Sequence, residues 1–433
     1  MDSALTRTRR GIVCRRLWNT NPQQKRGSSM KRIWIVGLML LGVLLVAPQA
    51  MAEEPFKIGV VSPVSGNYGD HGALERAGME MALKDLGGKI LGRTVELEVL
   101  DSESNPDAAA RRARSLIEKD QVKVLVGGVS SSVGMAVGAV AEERKVLYVC
   151  TNGNSDELTS AKANHYQFRV GASMAALGRA AATYATNNLG KKWFYLTHDY
   201  SWGHSGTRWA RDVMEKTGAT EVGEVKVPLG TRDFSSQLLQ IRNSGAEVLM
   251  ITCAGFDNVA LLKQLAEYKI YDKMKVVYTL MEYVDMYPLD PDERQAYAAV
   301  EVSWNENPKM EAASKKFEKM FPDAAAPVMD NGNYNGYIAI MMINEAANKA
   351  GSLDDVEKLI CAMEGLEITN NLRAQPSYVS PKTHQVLSTV DIVKANPEGK
   401  GLNIWDVQKA YHASEYDMTE EENPVDVSCG AQK

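Results

Sequence analysis

The chain has 433 residues, of which 45% are apolar and 24% charged, close to globular averages. Collagen-like, low-complexity and wholly disordered chains are excluded, and the length suffices for two or three domains. The net charge of −5 is uneven: residues 1–52 carry nine Lys/Arg and one acid, which leaves a body of net charge −13. So acidic a body makes nucleic acid an unexpected partner, because phosphate contacts supply most of that affinity.

Met30-Lys31-Arg32, an apolar run over 33–48 and the small residues Ala50 and Ala52 form the three-part pattern of a secretory signal cut after Ala52. The run is shorter than the ~20 residues of a spanning helix. Met30 is the expected start, and the mature chain is expected outside the cytoplasm, in the periplasm. Four cysteines follow the leader: Cys150, Cys253, Cys361 and Cys429. None forms a CxxC pair, so a zinc or redox motif has no support. Cys150 and Cys253 end apolar runs and are expected as buried thiols. Cys361 and Cys429 either bridge, tying down the tail, or remain free.

From residue 56 the elements alternate. Residues 56–61 read as a buried strand, 62–72 as a turn-rich loop, and 73 onward as a helix closed by Gly87-Gly88. Residues 94–100 read as a strand, and 106–119 as a helix with Asn105 as N-cap. A strand over 122–126, a helix capped by Ser130, Ser131 and Ser132, and a strand over 146–149 follow. The pattern restarts with strands at 193–197, 221–227, 247–252 and 275–278, separated by helices at 203–217, 234–244 and 258–268. Such alternation predicts an α/β fold with parallel, doubly wound sheets in two lobes. Further on, 300–303 reads as a strand, 309–320, 333–349 and 353–363 as helices, and 383–394 as a strand or hairpin. The tail after residue 410 is acidic and expected to pack loosely.

No HExxH or GxxxxGK[ST] motif is present, and the six histidines show no metal spacing, so neither a cofactor nor a metal is expected. Gly203-His204-Ser205-Gly206 is an imperfect nucleophile elbow, because Thr207 stands where the second spaced glycine belongs. A secreted hydrolase using Ser205 with His198 or His204 is therefore a minor alternative. Binding signals are stronger. Ligands of open α/β sheets sit beyond the strand carboxyl ends, where the loops 62–72, 129–132, 151–156 and 198–203 fall. Ser131 and Ser132 open a helix and suit a carboxylate. Asn152, Gly153 and Asn154 offer amides and open backbone, and Tyr200 and Trp202 offer aromatic faces. Tyr278 and Tyr283 are further cleft candidates.

The opening FKIGVVSPVSGNYGDHG, the phrases VKVLVGGVSSS, TNGNSDELT, HDYSWGHSG and DFSSQLLQIRNSGAEVLMI, and the late Thr383-His384-Gln385 together resemble the periplasmic solute-binding proteins of ABC importers in the Leu/Ile/Val-binding family, over about residues 56–394. The resemblance implies two lobes joined by a three-crossover hinge, with a first lobe of 53–170 plus 305–380, a second of 171–304 plus 381–412, and a tail from 413. It also implies no enzymatic activity and a monomer that captures an amino acid, aromatic acid or amide for a membrane permease. A sensor for a membrane receptor is the alternative role. By position, the resemblance places the ligand's carboxylate at Ser131 and Ser132, and its polar head at Asn152, Gly153 and Asn154. His71 falls near the side-chain pocket, Trp202 and Gly255 on the second lobe, and Glu282 within one position of an acid that meets an ammonium. Asn154 departs from the Thr or Ser usual in amino-acid binders, and Trp202 from the usual Tyr.

Overall fold

A computed structural model describes residues 54–399 and 401–432. The expected leader, its start at Met30 and its cut site lie outside the described residues. Among the described residues, no helix is long and apolar enough to cross a membrane.

The first half runs β1 (Phe56–Ser62), α1 (Gly69–Asp85), β2 (Lys89–Ile90), β3 (Arg93–Asp101), α2 (Pro106–Lys119), β4 (Val124–Gly127), α3 (Ser131–Arg144), β5 (Leu147–Cys150), a 3-10 turn (Asp156–Thr159) and β6 (Gln167–Arg169). The second runs α4 (Met174–Asn188), β7 (Lys192–His198), α5 (Ser201–Thr217), β8 (Thr220–Val227), α6 (Ser235–Arg242), β9 (Val248–Thr252), α7 (Phe256–Glu267), β10 (Lys275–Tyr278), α8 (Tyr283–Met286) and β11 (Tyr297–Val300). Then come α9 (Pro308–Met320), α10 (Asn331–Ala350), α11 (Val356–Met363), β12 (Glu367–Ile368), β13 (Ser377–Val379), β14 (Val386–Leu387), β15 (Thr389–Ala395), β16 (Trp405–His412) and α12 (Ala413–Tyr416).

Two main sheets result. The first has the order β2-β3-β1-β4-β5-β6, parallel from β3 onward, with Ile58 opposite Val124 and Gly127 opposite Cys150. The second has the order β16-β15-β11-β10-β9-β7-β8, parallel from β11 to β8, with β15 and β16 antiparallel at one edge. The central strands are buried except at Lys57 near the start of β1, as a sheet covered on both faces requires. The chain crosses between the lobes at 170–173, at 301–307 and before β15, the three-crossover hinge of the expected fold. In each sheet the strand order reverses beside its first strand, β1 or β7, so both crevices open at the carboxyl ends of those strands.

Two glycines set the close crossing of α1 on α10. A Cβ on Gly78 would lie 1.9 Å from the Asn333 carbonyl oxygen, and one on Gly336 would lie 2.1 Å from that of Glu75. Asn105 caps α2 by accepting from the Ala108 amide at 2.9 Å, as its sequence position predicts.

Several expectations need correction. The strand placed at 300–303 lies at Tyr297–Val300, and residues 301–303 begin the second crossover. The Ala-rich helix α4 and the edge strand β16 have no counterpart among the expected elements. The tail is not loose. Asp417 accepts from Ser173 at 2.6 Å, Asn423 donates to the Thr159 carbonyl at 2.8 Å, and Cys429 is disulfide-bonded to Cys361 with Cα atoms 5.7 Å apart. Cys150 and Cys253 are buried free thiols, and burial pushes the Cys150 thiol up to about 11.

Candidate ligand-binding cleft

The carboxyl ends of β1, β4 and β5 face those of β7, β9 and β10, and the loops between them meet. Tyr68 precedes α1, and its hydroxyl lies 2.8 Å from that of Tyr200, at the start of α5. Asn67 donates from Nδ2 to the Ala254 carbonyl at 3.3 Å and accepts from the Phe256 amide at 3.2 Å. Gly255 makes that approach possible: its φ is +75°, and a Cβ there would lie 2.7 Å from the Asn67 carbonyl. Asp330 caps α10 and accepts from the amides of Tyr283 and Val284 at 3.0 and 3.1 Å. Asp156 accepts from Ser205 at 2.5 Å and from the Trp209 indole. The lobes are therefore closed on one another.

On the first lobe, Ser131 accepts from the Ser155 amide at 3.0 Å, and Ser132 shares a hydrogen bond with Ser130 at 3.0 Å. This ties the opening of α3 to the loop after β5. Gly153 packs where a Cβ would lie 2.8 Å from the Cys150 sulfur. Glu75 projects from α1 and accepts from the Thr151 hydroxyl and, at 3.2 Å, from Asn152 Nδ2. Asn335 of α10 donates to Asn152 Oδ1 and to Glu301, each at 2.9 Å. Asn154 donates to Glu301 at 2.7 Å and to the Ala172 carbonyl at 2.8 Å. The Asn154 amide nitrogen is thus committed to the first and second crossovers, and it links the expected head-group loop to the hinge. Arg169, fully buried, donates to the carbonyls of Asn154 and Ser155 and holds the same loop from behind.

The centre of the interface is acidic. Burial raises the carboxyls of Glu75, Glu282, Asp285, Glu301 and Asp330, and for Glu282 the neighbouring acids Asp330, Asp285, Glu301 and Glu75 add to it. Asp285 reaches about 7, although its contacts with Asn258, the Gly255 amide and His198 oppose the rise. His71 stands opposite. Its Nε2 is 3.3 Å from Asp285 and 3.7 Å from Glu282, yet makes no aligned hydrogen bond. Burial lowers His71 to about 4, against the pull of Asp330 and Asp70. At neutral pH it is an uncharged imidazole, so these contacts are not ion pairs. The buried polar atoms here without a protein partner include His71 Nε2, Glu75 Oε2, Glu282 Oε2 and Asn67 Oδ1. Buried polar atoms seldom go unsatisfied. The set suits a small molecule carrying N–H donors together with an acceptor.

The aromatic candidates divide. Tyr200 closes on Tyr68, and Trp202 stacks behind it with ring centroids 6.0 Å apart. The Tyr278 hydroxyl is buried without a protein partner, whereas Tyr283 turns away from the cleft and donates to the Leu402 carbonyl at 2.7 Å. Ser205 is directed to Asp156, and His204 pairs with Asp199 at 2.8 Å. His198 is fully buried against Cys253 and Asp257, at 3.1 and 3.3 Å. The serine–histidine pairing of the hydrolase reading is not the pairing the structure makes.

The family profile described as "Periplasmic binding protein" matches residues 55–400. The chain belongs to this family. It is similar to the curated Leu/Ile/Val-binding protein homolog 6 of Brucella abortus, 25% identical over 213 residues, 49% of this chain and 54% of that one. It is also similar to homolog 8 of the same species, 30% identical over 241 residues, 52% and 59% of the two chains. The chain thus spans somewhat over half the length of these curated relatives. Among solved structures, a periplasmic binding protein from Burkholderia mallei is 25% identical with a TM-score of 0.79, covering 86% of this chain and 98% of that one. An ABC-transporter solute-binding protein from Rhodopseudomonas palustris, solved with 3,4-dihydroxybenzoic acid, shares the fold at 22% identity and a TM-score of 0.77, over 83% and 98% of the two chains.

In this periplasmic binding protein, several cleft groups escaped the reading of the sequence: Tyr68, Glu75, Asp285, Glu301, Asp330 and Asn335. Glu75 left a signal, an acid one turn after His71 on the face that also carries Leu74, Met79 and Ala82. Tyr68, Asp285, Glu301 and the Asp330–Asn335 stretch lie far apart in sequence and come together only in the folded chain.

Proposed function

We propose that the protein captures a small amino acid, aromatic acid or amide between its lobes and delivers it to the membrane permease of an ABC importer, without turning it over. The observation that carries this reading is the closed interface holding unpartnered His71 Nε2, Glu75 Oε2 and Glu282 Oε2 between the strand ends of two lobes. The ligand's carboxylate meets the start of α3 at Ser131 and Ser132, where helix amides favour an anion. Its donors meet Glu75 and Glu282. Asn152 and Gly153 line the head group, Asn154 holds their loop to the hinge, and Tyr200, Trp202, His71 and Gly255 complete the closing face. Solute-binding proteins of the same fold, solved in complex with benzoate and 4-hydroxybenzoate, support the inclusion of aromatic acids. Closure then reports occupancy to the permease, because ligand contacts available only in the closed form shift the lobes toward it.

Thermal-shift measurements across amino acids, aromatic acids and amides test this. A true ligand at 100 times its Kd raises stability by about 2.7 kcal/mol. If no member of the three classes shifts the transition, the proposal fails.

A further inference from the structure

Away from the cleft, the disulfide that anchors the tail sits among groups with metal-ligand chemistry. One donor atom each from His165, Glu364 and Cys429 lies within 4.8 Å of the others. Each nearby histidine is oriented through Nδ1, which sits on a backbone carbonyl: His165 on Val427 at 2.9 Å and His384 on Gln167 at 3.1 Å. A proton on Nδ1 leaves Nε2 as a lone pair, the arrangement that metal-bound histidines use. In both residues that Nε2 faces a carboxylate, Glu357 at 3.0 Å for His165 and Glu364 at 3.2 Å for His384. A neutral imidazole lone pair against a carboxylate is repulsive unless a cation or proton lies between them.

We propose that reduction of the Cys361–Cys429 bond converts this anchor into a site for a zinc-class divalent cation, with His165, Glu364 and Cys429 as ligands and the Cys361 thiolate as the fourth. A tetrahedral zinc with bonds of about 2.0–2.3 Å needs donors roughly 3.3–3.8 Å apart, so the His165, Glu364 and Cys429 donors close in by at most about 1 Å while the two freed sulfurs move apart to that spacing. Cys361 is exposed, so a reductant reaches the bond. With a phosphine reductant, the S–S bond breaks, water supplies two protons and the oxygen, two thiols form and the phosphine leaves as its oxide. Zinc then displaces both thiol protons to solvent. The metal clip does the work of the disulfide, holding Val427 to Cys429 against α11 and the loop at His165.

The test titrates zinc chloride into the whole mature chain under anaerobic conditions, with and without phosphine, and counts bound metal after gel filtration. The expected result is one zinc per reduced chain and none per oxidised chain. Cobalt(II) should give a thiolate charge-transfer band in the reduced chain only. The Cys361→Ser variant should bind zinc without reductant, and His165→Ala or Glu364→Gln should weaken binding at least tenfold while the oxidised proteins keep their melting transition. Reduced wild-type chain that melts cooperatively yet takes up no stoichiometric zinc overturns the proposal, as does binding indifferent to His165→Ala.

Discussion

The hydroxyls of Tyr68 and Tyr200 meet at 2.8 Å, one from each lobe, beside the fully buried His198–Asp257 pair. Separation of the lobes would break it. Tyr68→Phe keeps the ring and removes one partner. A net hydrogen bond of about 1 kcal/mol corresponds to roughly a fivefold loss of ligand affinity, carried by faster release. Calorimetry and stopped-flow dissociation should show it, with thermal stability of the unliganded protein little changed.

His71 and Asp285 give opposite pH dependences. The His71 pKa falls from 6.5 to about 4 on folding, so between these values the unfolded chain binds more protons and stability rises with pH. The Asp285 pKa rises from 3.8 to about 7, so over that range the folded chain binds more protons and stability falls as pH rises. Each limb has a slope of at most about 1.4 kcal/mol per pH unit. In wild type the two largely cancel between pH 4 and 6.5. Relative to wild type, Asp285→Asn should therefore shift the pH slope of stability upward over this range, and His71→Asn should shift it downward. Urea unfolding at half-unit pH intervals reads both.

The crossing of α1 on α10 leaves no room for a methyl group at Gly78 or Gly336. Either glycine-to-alanine change should force the helices apart and cost about 1–3 kcal/mol, despite the higher helix propensity of alanine. Because Glu75 lies in the same contact, Gly336→Ala should also weaken ligand binding, whereas Gly430→Ala, where a Cβ would meet only Ser428 Oγ at 3.6 Å and φ is not positive, serves as a control remote from that crossing.

Cys361 and Cys429 are 68 residues apart in sequence. Closing so long a loop restricts the unfolded chain, with an entropic contribution of roughly 4 kcal/mol. With chelator present to exclude metal, a phosphine should lower the melting temperature of wild type and leave the Cys361→Ala, Cys429→Ala double variant unmoved.

Much of this architecture was legible in sequence because parallel strands buried on both faces leave short apolar runs between turn clusters. The runs in β1, β7 and β9 stand out for that reason, and the Asn105-Pro106 start of α2 has a specific cap. Helix α4 was hidden because its buried face is built from Ala175, Ala176, Ala180, Ala181, Ala182 and Ala185, which give little hydrophobic contrast. β16 alternates poorly because an edge strand exposes most of its residues. At the cleft, loop positions were readable and side-chain pairings were not. Asn154 reads as a ligand donor in the sequence, and its pairing with Glu301, 147 residues away, is not visible there. Contacts created by a three-crossover hinge have no local sequence signature.

The central claim is that a small solute binds between the lobes at His71, Glu75 and Glu282. Isothermal titration of the best ligand from the thermal-shift panel into wild type, His71→Asn and Glu282→Gln tests it most directly. Wild type should show one site per chain, with affinity at least tenfold weaker in each variant. Affinity unchanged in both variants, with both still folded, would contradict it.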